Sequence, residues 1–163
     1  SASKRDWKTP SGRIEIMNDR EPEPLPRLLA THAAGDGLPL RMQPATTPYA
    51  LNSSFYEQEG LREKQECMAL MMNPRDAAAR GLDDGRRVTA FNGYGEVEFV
   101  LKVTERVPVG TVVTEGVWWR EFIPGRRGVN ALTSQRLTDS GRGSTLYDVA
   151  VEVRKAGFLP AAG

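Results

Sequence analysis

Residues Glu96–Val103 alternate, with Val97, Phe99, Leu101 and Val103 on one face and Glu98 and Lys102 on the other. A period of two predicts a half-buried β-strand. The run Arg87–Phe91 precedes it across Asn92-Gly93-Tyr94-Gly95, so the pair predicts a hairpin, with Asn92 and Gly93 at the positive φ values of a tight reversed turn. Two glycines there could suggest a phosphate loop, but they lie between antiparallel strands with no helix following, which favours the turn. Apolar runs at 38–42, 67–72, 111–119 and 147–153 predict four further strands. In a regular strand Trp118 and Trp119 point to opposite faces, one into the core and one onto a rim or a ligand ring.

One helix is clearly marked. Asn73 is a capping residue, Pro74 suits the first helical position, Asp76 sits in the positive first turn, and Gly81 supplies a left-handed stop. The alanines between offer no nucleophile, base or ligand, so this unit is scaffold. The charged stretch 57–66 reads as a solvated helix or loop. Residues 1–37 are rich in Pro, Gly and charge, and Glu21-Pro22-Glu23-Pro24-Leu25-Pro26 favours an extended, polyproline-like path. They read as a lead-in, followed by a domain at 38–155 and a tail at 156–163. A Gly/Arg/Ser-rich segment at 125–144 is long for a connection inside a compact domain, and such loops are often functional. Many short strands without regular strand–helix alternation predict a mainly β fold, a closed barrel with short helices. No internal repeat is visible.

Composition narrows the chemistry. At 163 residues with a formal charge of +1, the chain suits one soluble domain and has no global field for nucleic acid. The single cysteine, Cys67, excludes an internal disulfide and a cysteine cage, and the single histidine, His32, excludes multi-histidine metal sites and a confident Ser/His/Asp triad. Cys67 lies in an apolar run and reads as an inert thiol, and His32 as a loop residue. Asp83 and Asp84 sit in a turn after the helix, where aspartate serves local backbone hydrogen bonds. No stretch is long and apolar enough to cross a bilayer, and in the sequence as given no charged start followed by an apolar core marks a secretion signal, which leaves room for one lost upstream. The compartment stays open, with a cytoplasmic site favoured over a periplasmic one.

Five segments, in this order, carry a resemblance: Thr9-Pro10-Ser11-Gly12-Arg13-Ile14-Glu15, Leu51-Asn52-Ser53-Ser54-Phe55, Asn73-Pro74-Arg75-Asp76-Ala77 with Arg80-Gly81-Leu82-Asp83-Asp84-Gly85, Gly116-Val117-Trp118-Trp119, and Val129-Asn130-Ala131-Leu132-Thr133. Together they resemble the C-terminal molybdopterin dinucleotide-binding domain of the dimethyl sulfoxide reductase family of molybdenum and tungsten oxidoreductases. The resemblance implies a double-psi β-barrel, related in topology to aspartate decarboxylase. Its loops close over a bis(molybdopterin guanine dinucleotide) cofactor with molybdenum or tungsten, shared with upstream catalytic domains of the same polypeptide. An electron-transfer partner is implied for the parent enzyme, and catalysis by the isolated domain is not.

The family's first cofactor loop maps onto Thr47 and Asn52, Ser53, Ser54 and Phe55, its second onto Asn130, Thr133 and Gln135, with a further contact near Tyr147 and Asp148. Neutral Asn, Ser, Thr and Gln side chains suit the donor and acceptor edges of a pterin and a guanine. Arg126, Arg127 or Arg136 suit the pyrophosphate. Leu51 replaces the histidine or aromatic residue that many relatives carry, and Asp148 stands where a lysine or other polar residue often does. The family's metal ligand lies in an upstream domain, so no residue here is assigned to metal. A chain starting just before the Thr9–Pro10 motif reads as an excised fragment, with Ser1-Ala2 a cloning remnant. Two rivals stay open: a free-standing double-psi barrel acting as a protein or peptide adaptor, and a small self-cleaving decarboxylase, for which Gly143-Ser144 lacks the surrounding motif.

Overall fold

A computed structural model of the protein describes residues 7–25, 27–28, 37–138, 141–147 and 149–157. It divides into two compact units, residues 1–30 and 31–163.

The described part of the first unit holds no helix or strand. Its Thr9 to Glu15 motif is a turn. Gly12 N–H donates to Thr9 O at 3.0 Å, Thr9 Oγ1 donates to Arg13 O at 2.6 Å and Ser11 N–H to Glu15 Oε1 at 2.9 Å, while Gly12 adopts φ 63°. The proline-rich stretch is not extended as expected, because Asn18 N–H bonds Pro24 O at 2.8 Å and closes the segment on itself.

The second unit is a closed six-stranded barrel: β1 (Leu40–Ala45), β2 (Ala69–Met72), β3 (Arg87–Phe91), β4 (Glu96–Val103), β5 (Thr111–Glu115) and β6 (Val149–Lys155), in the cyclic order β1-β5-β2-β4-β3-β6. Two neighbour pairs are parallel, β1 with β5 and β2 with β4, and the remaining pairs are antiparallel. Exchanging β1 with β4, β2 with β5 and β3 with β6 maps this pairing onto itself. The two halves therefore repeat in topology although they do not repeat in sequence. Closure leaves no free sheet edge, and the lumen is filled by Met42, Leu70, Met72, Val88, Phe99, Leu101, Val112 and Val151, each essentially excluded from solvent.

Local signals are realised as the residues dictate. The helix α1 (Glu59–Gln65) occupies the charged stretch with no buried residue, and α2 (Pro74–Ala79) begins where Asn73 accepts from Arg75 N–H at 3.0 Å and ends before Gly81 at φ 61°. Asp84 Oδ1 accepts from Val103 N–H at 2.7 Å, so it ties the turn to the end of β4, 19 residues on, instead of making the local bond expected of the Asp83-Asp84 turn. The β3–β4 hairpin has the expected strands, but neither Asn92 nor Gly93 adopts positive φ. Asn92 instead builds an Asx turn, its Oδ1 accepting from Tyr94 N–H at 2.9 Å and Gly95 N–H at 3.3 Å, while its Nδ2 donates to Leu132 O at 2.8 Å and Ala150 O at 3.1 Å. A side chain thus spent on distant carbonyls sets the turn. The β5 strand stops at Glu115, since Gly116 turns the chain at φ 75°, so strand alternation does not govern Trp118 and Trp119. β1 and β6 each lie two residues later than their predicted starts.

α2 is tied to the barrel wall through Arg80. Its Nε meets Glu152 Oε1 on β6 at 2.5 Å, and its Nη1 donates to Asp76 O at 3.0 Å; Asp76 Oδ2 in turn accepts from Gly110 N–H at 2.8 Å. Burial works against the Glu152 carboxylate, but hydrogen bonds from Arg80 and Val153 N–H outweigh it and leave its pKa below the ordinary value. A carboxyl with a folded pKa below its unfolded one stabilises fully above the unfolded value and loses that contribution as pH falls through the folded value. Glu152→Gln should therefore destabilise the protein by about 1 kcal/mol near neutrality, and its gap in Tm from wild type should close between about pH 5 and pH 3. Thermal melts across that range test this; a gap that does not change with pH would refute the charge-based role.

Candidate functional site

Because β1 and β5 run parallel and pair from Arg41↔Thr111 to Ala45↔Glu115, the loops that follow them leave the same end of the barrel side by side. Antiparallel β6 begins at that end and the β3–β4 hairpin turns there. A crevice of about 270 Å³ lies among these loops. Of the residues the sequence nominated, Thr47, Asn52, Asn130, Thr133 and Tyr147 line it. Its apolar walls include Leu51, Val117, Val129 and Leu146, so a few neutral polar groups stand on a mostly apolar surface, the usual build of a small-molecule site.

The other nominated residues lie off this surface. Ser53 and Ser54 enter the loop's fold through their backbones: Trp119 Nε1 donates to Ser53 O at 2.5 Å, and Ser54 N–H to Leu51 O at 2.9 Å. Phe55 is exposed at φ 76°, and Gln135 and Arg136 are exposed beyond the lining. His32 and Asp148 fall outside the described residues. Sequence reasoning missed Leu146 and Thr46 as wall residues. Thr46 stood beside Thr47 in a polar loop and could have been named, whereas Leu146 carried no signal.

The donor set suits a flat heteroaromatic ligand. Among the described residues the side-chain amides of Asn52 and Asn130 make no internal hydrogen bond, and Asn52 is held at φ 52°, a left-handed conformation that asparagine tolerates. Thr133 Oγ1 donates to Asn130 O at 2.8 Å and keeps its acceptor capacity. Ser134 Oγ lies 2.9 Å from Thr145 Oγ1, and Thr145 donates to Arg136 O at 3.1 Å, pinning the second loop beside the start of β6.

An aromatic cluster joins the two loops beneath the crevice. Tyr56 is buried, its ring 5.1 Å from that of Trp118 and 6.3 Å from that of Trp119, which stacks on Phe122 at 6.2 Å. Arg62 lies 4.3 Å over Phe122 and donates to Tyr56 O at 2.6 Å. Burial pushes the Tyr56 phenol up, with Gln65 opposing the shift, and its Oη lacks a well-formed hydrogen bond. The tightest point is Gly116, which lines the crevice. A Cβ there would come within 2.6 Å of Tyr56 Oη, 2.8 Å of Gln65 Nε2 and 3.3 Å of Thr47 Cγ2. Cys67 does not line this surface, and burial, reinforced by the Glu66 charge, raises its pKa, as suits an inert thiol. Among the described residues no His/Cys/Asp/Glu cluster could hold a metal ion.

A family model described as "Molydopterin dinucleotide binding domain" matches residues 40–150. The chain belongs to that family. A similar protein is the probable oxidoreductase YoaE of Bacillus subtilis (strain 168), 33% identical over 151 residues that cover 90% of this chain and 22% of that one. Another is the dimethyl sulfoxide reductase DmsA of Haemophilus influenzae (strain ATCC 51907 / DSM 11121 / KW20 / Rd), 29% identical over 171 residues, covering 91% of this chain and 21% of that one. The resemblance to the dimethyl sulfoxide reductase family is thereby shown. Acetylene hydratase from Pelobacter acetylenicus has a similar fold, with a TM-score of 0.77 at 18% identity over 91% of this chain and 24% of its own. The chain spans about a fifth of the length of the curated relatives it matches. Among the described residues no helix is long and apolar enough to cross a membrane.

The cradle at Gly116 yields a direct test of how tightly the two loops of the dinucleotide-binding domain pack. Gly116→Ala should cost about 1–3 kcal/mol, through both its φ and displacement of Tyr56 or Thr47. Urea denaturation measures it, and an unchanged midpoint with an unchanged slope would show that the loops yield freely.

Proposed function

We propose that this barrel forms one wall of the cofactor site of a larger molybdenum-dependent oxidoreductase. It closes over a bis(molybdopterin guanine dinucleotide) held mainly by upstream catalytic domains of the same polypeptide. The observation that carries the reading is the gathering of Thr47, Asn52, Asn130, Thr133 and Tyr147 around one crevice within the matched region. Asn52 and Asn130 each offer a free amide edge to a pterin or guanine, Thr47 and Thr133 add acceptors, and Val117, Val129 and Leu146 exclude water from the ring faces. The exchange symmetry of the barrel halves supports the double-psi connectivity. When bound, the cofactor supplies two-electron redox or oxygen-atom transfer chemistry; this domain positions and buries it, and is inactive alone. The names of the relatives, which include dimethyl sulfoxide reductases of Escherichia coli and Haemophilus influenzae, support molybdenum in the parent enzyme.

The test is to recover the natural polypeptide from its source with an antibody to this domain and to measure its size, molybdenum, tungsten and acid-released GMP. A much longer chain carrying metal and GMP is expected; a native chain of this length with neither would overturn the reading and favour an adaptor. In the parent enzyme Asn52→Ala and Asn130→Ala should each weaken cofactor retention about fivefold, the effect of one lost hydrogen bond. GMP released per protein after dialysis reports it.

A further inference from the structure

The second loop of the crevice divides its residues between two tasks. Val129, Asn130 and Thr133 line the crevice, whereas Ala131 and Leu132 do not. Those two meet the β3–β4 hairpin instead. Leu132 buries its side chain in the barrel core and its carbonyl accepts from Asn92 Nδ2 at 2.8 Å, while Ala131 O lies so close to Gly95 that a Cβ there would come within 2.9 Å of it.

Bonds inside the loop fix its shape. Ala131 N–H donates to Gly128 O at 3.0 Å, Thr133 N–H to Asn130 O at 3.3 Å, and Thr133 Oγ1 to the same carbonyl at 2.8 Å, closing the 3-10 turn Val129–Leu132. None of these bonds fixes where the turn sits on the barrel. The hairpin does that. The Asn92 amide that holds Leu132 O also donates to Ala150 O on β6 at 3.1 Å, so one side chain joins hairpin, loop and strand across 40 and 58 positions. Its Oδ1 meanwhile serves the hairpin itself, accepting from Tyr94 N–H and Gly95 N–H. Gly95 does not adopt positive φ, so the space beside Ala131 O, and not backbone conformation, is what calls for glycine there.

We propose that Asn92 and Gly95 are positioning residues of the crevice: neither lines it, but together they place the second loop so that Asn130 and Thr133 face its interior. What the placed loop binds rests on the cofactor reading above; the placement does not. The two ends of the asparagine make the proposal separable from the folding of the turn. Asn92→Asp has the same shape and keeps the acceptor that the turn needs, but it removes the donor and sets a carboxylate oxygen against the Leu132 and Ala150 carbonyls. Asn92→Ala removes both ends.

The test is amide hydrogen exchange on the 163-residue chain, followed by NMR. Tyr94 and Gly95 amides report the turn, and Ala131 and Thr133 amides report the loop. Asn92→Asp should lower protection at Ala131 and Thr133 about tenfold and leave Tyr94 and Gly95 within about twofold, whereas Asn92→Ala should lower all four. Gly95→Ala, which changes no polar group, should expose the same two loop amides by pushing Ala131 away. In the parent enzyme Asn92→Asp should weaken GMP retention about fivefold, as Asn130→Ala does, and the two combined should lose much less than the product, since they act through one loop. Glu152→Gln, which loosens α2 instead, should change neither loop exchange nor retention. Unchanged exchange at Ala131 and Thr133 in both Asn92→Asp and Gly95→Ala would overturn the positioning role whatever the ligand. Equal effects from Glu152→Gln would also overturn it, leaving general stability as the cause. Loop amides exposed as expected, alongside a natural polypeptide that releases no GMP, would uphold the positioning role and defeat the cofactor reading.

Discussion

Parallel pairing of β1 with β5 is the constraint on which the rest of the molecule depends. Parallel neighbours cannot be joined by a tight turn, so the chain must travel far between them and return. Here that excursion contains β2, α2 and the β3–β4 hairpin, and the second parallel pair, β2 with β4, is laid down within it. Closing the ring with antiparallel β6 then leaves every strand paired on both sides. The consequence for function is positional. Two strands running the same way deliver their following loops to the same rim, at Ala45 and Glu115, and Gly116 N–H bonds Ala45 O at 3.0 Å at that junction. Loops far apart in the chain become the facing walls of one crevice.

A rim built from two loops needs something beneath it to fix their separation, and the cluster around Tyr56 does so. Tyr56 belongs to the first loop and Trp118 and Trp119 to the second, so the ring contacts and the Trp119 to Ser53 hydrogen bond join the loops directly. Gly116 is where this arrangement has no slack, since both its φ and the surrounding atoms exclude a side chain. An unbonded phenol in a buried site is costly by itself. Its retention here accompanies a backbone approach that a bulkier or better-solvated neighbour would prevent.

The parts of the fold legible in the sequence were those decided locally. The Asn73 cap, the Gly81 stop and the β3 and β4 strands depend on residues within a few positions of one another, and they occur where the pattern put them. The misreadings share a cause. Asn92-Gly93 looks like a reversed turn, but the Asn92 amide is claimed by Leu132 and Ala150, residues 40 and 58 positions away. The Thr111 run looks like a strand through both tryptophans, but pairing with β1 ends at Glu115 and the aromatic cluster takes the rest. In the site, five nominated residues converge because family motifs carry long-range information that periodicity lacks. Ser53, Ser54 and Phe55 share a motif with Asn52 yet do not line the crevice, for neighbours in a tight loop cannot all face one surface.

A wider cavity of about 590 Å³, lined by Arg120, Arg126 and Arg127, adjoins the crevice, so the arginines and most of the neutral polar residues occupy different surfaces. Leu51, Val117 and Leu146 are exposed; once a flat ring covers them, a guanidinium beside them would lose hydration without a fixed counter-charge, whereas amide hydrogen bonds there would gain strength from the lowered local dielectric. Exposed arginines at the wider cavity keep their water until an anion arrives, at the cost of weaker, salt-screened attraction. Asn130 stands on the wall common to both. A ligand with a flat, neutral end and a charged end is the kind that such a division accommodates, because neither end then has to be desolvated in the wrong compartment.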